Sequence, residues 1–222
     1  NFEEKLFDKF KNYNFSVIDY AMPGEELTQK IRENSAKVSP DILFLSNHGL
    51  VVGSNSLNEA IERINYISTK ISKNFNPEFN FNTKKLEELS VNSLFRPTKN
   101  YQANIMASQD EYIKYATSGV LFPDQALFIG PKIIVVENKK DVEEIERRYL
   151  LEKNLPLLII PYSGILVPKN ISNESEELVL ALSIIIAKLG KGALINYLKE
   201  SQVDQIINSN AEKYRLSINN SK

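Results

Sequence analysis

The sequence predicts an α/β chain in two lobes, on three observations. Short apolar runs such as "FSVI", "DILFLS", "KIIVV", "LPLLII" and "GILV" alternate with longer segments whose apolar residues return at helical spacing. An Asn-rich stretch carrying a proline, "FNPEFNFNTK" at residues 75–84, separates two such alternations and reads as a linker. Hydrophobic residues make up 42% and charged residues 25% of the 222, the balance of a folded chain with a sizeable core.

The elements follow in order. "NFEEKLFDKFKNY" puts Phe2, Leu6, Phe7 and Phe10 at helical spacing, and "FSVIDYA" is a short strand closed by "MPG". A helix from Glu25, "EELTQKIRENSAK", carries acidic residues in its first turn and Leu27 and Ile31 on one face. "DILFLSNHG" is a buried strand running into a loop, with "LVVG" extended beyond it. Ser56 is placed to cap the next helix, with Glu59 at the capping-box position. In that helix Leu57, Ala60, Ile61, Ile64, Ile67 and Ile71 form one stripe.

After the linker, residues 85–118 read as mostly helical with an interruption around "RPTKN". "QALFIGPKIIVVE" reads as two extended pieces about a turn at Gly130-Pro131, "DVEEIERRYLLEKN" as a helix, and "LPLLIIPYSGILVP" as a strand pair. Helices are expected at 174–189, 191–200 and 202–215. The run "ELVLALSIIIAKLG" is shorter than the roughly 18–20 residues that span a bilayer and reads as a buried helix.

A net charge of −1, with Lys and Arg spread along the chain, speaks against nucleic-acid and membrane-surface partners. The absence of cysteine excludes disulfides, thiolate chemistry and Cys-based zinc sites, and with no secretory leader in view the expected location is the cytoplasm. The glycines form neither G-x-G-x-x-G nor a phosphate-binding P-loop, and "GKG" at Gly190–Gly192 falls between helices. Ser163 in "YSG" lacks a nucleophile elbow and reads as a turn residue. The acidic pairs Glu25-Glu26, Glu87-Glu88 and Glu143-Glu144 read as solvated charges on helices.

His48 remains, the one histidine of the chain. It stands where a buried strand ends, followed by Gly49 and preceded by Asn47, the kind of position from which α/β folds present side chains to a crevice.

From "IDYAMPGEEL" through the following helix to "ILFLSNHGLVVGSNSLNEAIERINYI", residues 16–72 resemble the class II aldolase/adducin family: a tyrosine and a glycine before a helix, a strand ending in polar-His-Gly, and an "EA" helix. "FPDQALFIG" and the closing "AEKYR" are similar, more loosely, to the C-terminal extension of larger members related to rhamnulose-phosphate aldolase. The resemblance implies part of an αβα-layered class II aldolase-like domain at residues 1–76, followed by a smaller α/β C-terminal lobe at 77–222. It implies a metal-dependent lyase of carbohydrate metabolism that cleaves a sugar, sugar phosphate or sugar acid by retro-aldol chemistry, in a homo-oligomer. In catalytic members zinc is held by an upstream H-x-H pair and a third histidine. The zinc polarises the substrate carbonyl and steadies the enediolate. By that resemblance His48 is the third zinc ligand and Tyr20 the catalytic acid.

The departure is equally plain: the chain has no H-x-H, and a catalytic zinc wants three protein ligands. The chain opens at Asn1, inside the family pattern, so the expectation is that the H-x-H half precedes it and that this chain alone is inactive. The alternative is a non-catalytic, adducin-like binding or assembly module of the same fold.

Overall fold

A computed structural model describes residues 2–71, 81–149, 155–210 and 214, the side chains of 2–5 excepted. The chain divides into two compact units, Asn1–Asn74 and Phe75–Lys222. Both are α/β, each built on its own mixed sheet; the second, expected as the smaller lobe, is the larger, because it carries a four-stranded sheet with helices on both faces against three strands in the first.

The first unit contains α1 (Phe2–Phe10), β1 (Phe15–Ile18), α2 (Glu25–Ser35), β2 (Ile42–Leu45), β3 (Gly49–Val52) and α3 (Leu57–Ile71). β2 is central, parallel to β1 and antiparallel to β3. Alternation along the strands divides the side chains between two faces. Phe15, Val17, Ile42, Phe44, Leu50 and Val52 pack with Leu6 and Phe10 of α1 and Ile67 of α3. Ile18, Leu43 and Leu45 turn the other way and meet Leu27 and Ile31 of α2. The result is an αβα sandwich.

α3 begins as its sequence indicates. Ser56 Oγ accepts from the Glu59 N–H at 3.2 Å, and the Glu59 carboxylate accepts from the Asn55 N–H at 3.2 Å. Its apolar stripe is only partly used. Ile67 is 1% exposed, but Leu57 is 76% exposed and Ile61, Ile64 and Ile71 are also open to solvent. A three-stranded sheet is too narrow to cover the stripe, and α3 is fastened instead by Arg63, which bonds Asp41 at 3.0 Å and the Gly53 carbonyl, and is steadied within the helix by Glu59 at 3.0 Å. Phe7 of α1 likewise faces outward, one position off the Leu6/Phe10 seam.

The second unit has α4 (Thr83–Ser90), β4 (Phe95–Pro97), α5 (Asp110–Thr117), β5 (Ile133–Val135), α6 (Lys139–Tyr149), β6 (Leu157–Ile160), β7 (Gly164–Pro168), α7 (Asn173–Lys188) and α8 (Glu200–Asn208). The sheet order is β4-β7-β6-β5, with β5 and β6 parallel and the other pairs antiparallel. Leu157, Ile159, Ile165 and Val167 face α5, α7 and a 3-10 segment, Tyr101–Ala107. Leu158, Ile160 and Leu166 face α4 and α6. β6 and β7 are buried on both faces, which is why they read as unbroken apolar runs.

Four further expectations are corrected here. The "RPTKN" interruption contains strand β4, too short and too close to a proline to show period-2 alternation. "QALFI" is a π-helical turn, its Gly130 N–H donating to the Gln125 carbonyl at 2.9 Å; five apolar residues cannot by pattern alone tell strand from helix. No helix spans 191–200. The Glu111 carboxylate accepts the Gly192 N–H at 2.6 Å and the Tyr115 hydroxyl accepts the Ala193 N–H at 2.9 Å, holding that stretch irregular. α4 begins at Thr83, inside the stretch read as a linker, whose residues 75–80 lie outside the described residues, as do those of "AEKYR" except Tyr214. Among the described residues no helix is long and apolar enough to cross a membrane.

Candidate functional site

The chain after β1 and the β2–β3 turn converge at one end of the first sheet. The Ser46 N–H donates to the Ile18 carbonyl at 2.9 Å, tying the turn to the last residue of β1. The turn itself closes through the His48 N–H, which donates to the Leu45 carbonyl at 3.0 Å. Its third residue, Asn47, has φ 61°, the left-handed conformation that the third turn position demands and that asparagine tolerates better than most residues. Gly49 follows at φ 127°, which a side chain would rarely adopt. The "SNHG" sequence is therefore the local cause of where the imidazole stands.

His48 and Tyr20 are brought together. Their rings are stacked, with centroids 5.3 Å apart and planes within 2° of parallel. His48 Nε2 lies 2.8 Å from the carbonyl oxygen of Ala21, a buried residue. The Tyr20 hydroxyl points to Met22 Sδ at 3.6 Å, and its carbonyl accepts from Lys30 Nζ at 3.0 Å. Both rings are half-buried. Burial raises the Tyr20 hydroxyl's pKa above its ordinary value, and the Glu26 carboxylate raises it further. The phenol is thus held in its protonated form across the neutral range, as a proton donor requires.

Glu26 reads in the sequence as one of a solvated acidic pair, yet it accepts the Met22 N–H and acts on Tyr20, while Lys30 and the Ala21 carbonyl carry no signal of a site there. Lys30 was visible only as a polar position on α2, and a main-chain oxygen leaves no mark in a sequence. Ser163, read as a turn residue, is buried in the β6–β7 turn of the second unit, where its N–H donates to the Ile160 carbonyl at 3.0 Å.

The donors fit zinc poorly. Among the described residues no three His, Cys, Asp or Glu side chains gather as a metal-binding group. Among the described residues none joins His48 as a second ligand, and one of its two ring nitrogens is engaged by a main-chain carbonyl.

A family model described as class II aldolase and adducin N-terminal domain matches residues 4–71. No curated protein and no solved structure matches the chain. The matched residues fall within the first unit and include both Tyr20 and His48. The likeness to the class II aldolase and adducin N-terminal domain is confined to residues 4–71.

Proposed function

We propose that this chain is part of a class II aldolase-type lyase acting on a hydroxylated, phosphorylated sugar or sugar acid, and that it is inactive alone. The observation that carries the reading is the stacking of Tyr20 on His48, the two residues to which the family resemblance gives chemical roles. Tyr20 keeps its proton and is the group that would deliver it to the leaving aldehyde. His48 is the residue that would contribute a ligand to the zinc of the whole protein. The described residues do not by themselves assemble a zinc site.

The test uses the protein expressed from its complete reading frame, screened for aldehyde release from phosphorylated sugars and sugar acids. The reading expects cleavage that Tyr20→Phe slows without changing metal content. Loss of metal with Tyr20→Phe, or equal turnover in both proteins, contradicts the assigned role.

A second reading, a non-catalytic adducin-like assembly module, is favoured by the open apolar stripe of α3. Under it the protein self-associates through Leu57, Ile61, Ile64 and Ile71, and Ile64→Glu lowers the mass seen by light scattering. Under either reading a homo-oligomer is expected, and a strict monomer at high concentration counts against both.

A further inference from the structure

We infer that His48 is held as the Nε2–H tautomer and works in this chain as a positioning residue for Tyr20, leaving Nδ1 as its one lone pair for a ligand. The inference stands on geometry alone and constrains the zinc reading without depending on it. A carbonyl oxygen can only accept, so the 2.8 Å contact between Nε2 and Ala21 O requires the proton on Nε2. In a neutral imidazole the other nitrogen is then the acceptor. The contact joins the residue after Tyr20 to the β2–β3 turn, and the stacked rings join the same two segments a second time. The Ser46–Ile18 bond makes a third tie a few residues away. Together they fix the tyrosine's ring plane against the sheet end. A metal entering through Nε2 would have to displace that proton and break the tie to Ala21.

The only histidine of the chain gives one imidazole signal set, so 15N-histidine labelling needs no assignment. At a pH where the ring is neutral, long-range 1H–15N correlation is expected to show a single tautomer with the proton on Nε2. A proton on Nδ1, or rapid averaging of the two forms, overturns the inference. On titration with zinc sulfate the Nε2–H pattern is expected to persist, whether or not Nδ1 shifts; loss of the Nε2 proton to zinc overturns it. His48→Gln keeps an N–H donor near the Nε2 position, and His48→Asn is too short to reach it. The glutamine variant is therefore expected to retain a higher Tm than the asparagine variant, and equal losses overturn the positioning role. These outcomes are read without any activity assay, so a failed aldolase test leaves them distinguishable.

Discussion

Glu176, on α7 of the second unit, offers the sharpest test of the forces holding that unit together. Its side chain is 3% exposed, and its carboxylate accepts from both Arg96 terminal nitrogens (2.9 and 2.7 Å), from Thr98 Oγ1 (3.0 Å) and from the Lys99 N–H (2.6 Å). The Arg96 hydrogen bonds dominate burial, so the carboxyl is held down at about 2, against an ordinary 4.5. The unfolded chain therefore takes up the proton first as pH falls. The stabilisation is complete above about pH 4.5, declines down to about pH 2, and is absent below. Its size is about 3 kcal/mol at neutral pH, at about 1.4 kcal/mol per pH unit.

Glu176→Gln should lose roughly that amount at pH 7, and Glu176→Ala somewhat more, about 3–5 kcal/mol, because Arg96 keeps only the Pro97 carbonyl and loses its charge partner, and the Lys99 N–H loses its acceptor. At about pH 3 the gap between parent and glutamine variant should narrow by about 2 kcal/mol. The assay is urea unfolding followed by NMR amide signals from β7 and α7, so that the first unit's transition does not mix into the result. A gap of equal size at both pH values, or no loss in Glu176→Gln at pH 7, refutes the reasoning.

Other substitutions test separate pieces. A Cβ added at Gly164, where φ is 137°, would lie 2.4 Å from Asn104 Oδ1 and 2.9 Å from Leu86 Cδ1, so Gly164→Ala should cost about 2–4 kcal/mol in urea melts of the second unit. Asn104 cannot give way without releasing the Ile165 N–H it accepts at 2.9 Å. Ser56→Ala removes the cap of α3 and should cost about 1 kcal/mol, read as faster amide exchange at Glu59.

Much of this fold was legible in the sequence where its chemistry is local. The alternation of Ile42, Leu43, Phe44 and Leu45 between two helical layers follows from an apolar strand buried on both sides. The Ser56–Glu59 cap follows from spacing alone, and so does the place of His48 at a strand end. What escaped depends on contacts distant along the chain. β4 is a strand because β7, about 70 residues on, supplies its partner. The 191–200 stretch is not helical because Glu111 and Tyr115 bind its backbone from α5. α3 shows one apolar stripe by pattern, yet how much of that stripe is covered is not encoded in the helix itself. At the site, the Tyr20–His48 pairing came from a resemblance and not from spacing, since 28 positions separate the two residues. The Ala21 carbonyl that engages the imidazole was invisible for the same reason.

Zinc stoichiometry of the 222-residue chain bears most directly on the central claim, that His48 is engaged by the Ala21 carbonyl and that the described residues bring no second zinc ligand to it. Among the described residues no second ligand stands beside this imidazole, whereas zinc in proteins wants a tetrahedral set of ligands at about 2.0–2.2 Å for nitrogen and oxygen donors. Equilibrium dialysis against zinc followed by elemental analysis should therefore find no stoichiometric metal, in the parent chain and in His48→Ala alike. One tightly held zinc per chain, lost in His48→Ala, would show that ligands converge on this imidazole and would contradict the account.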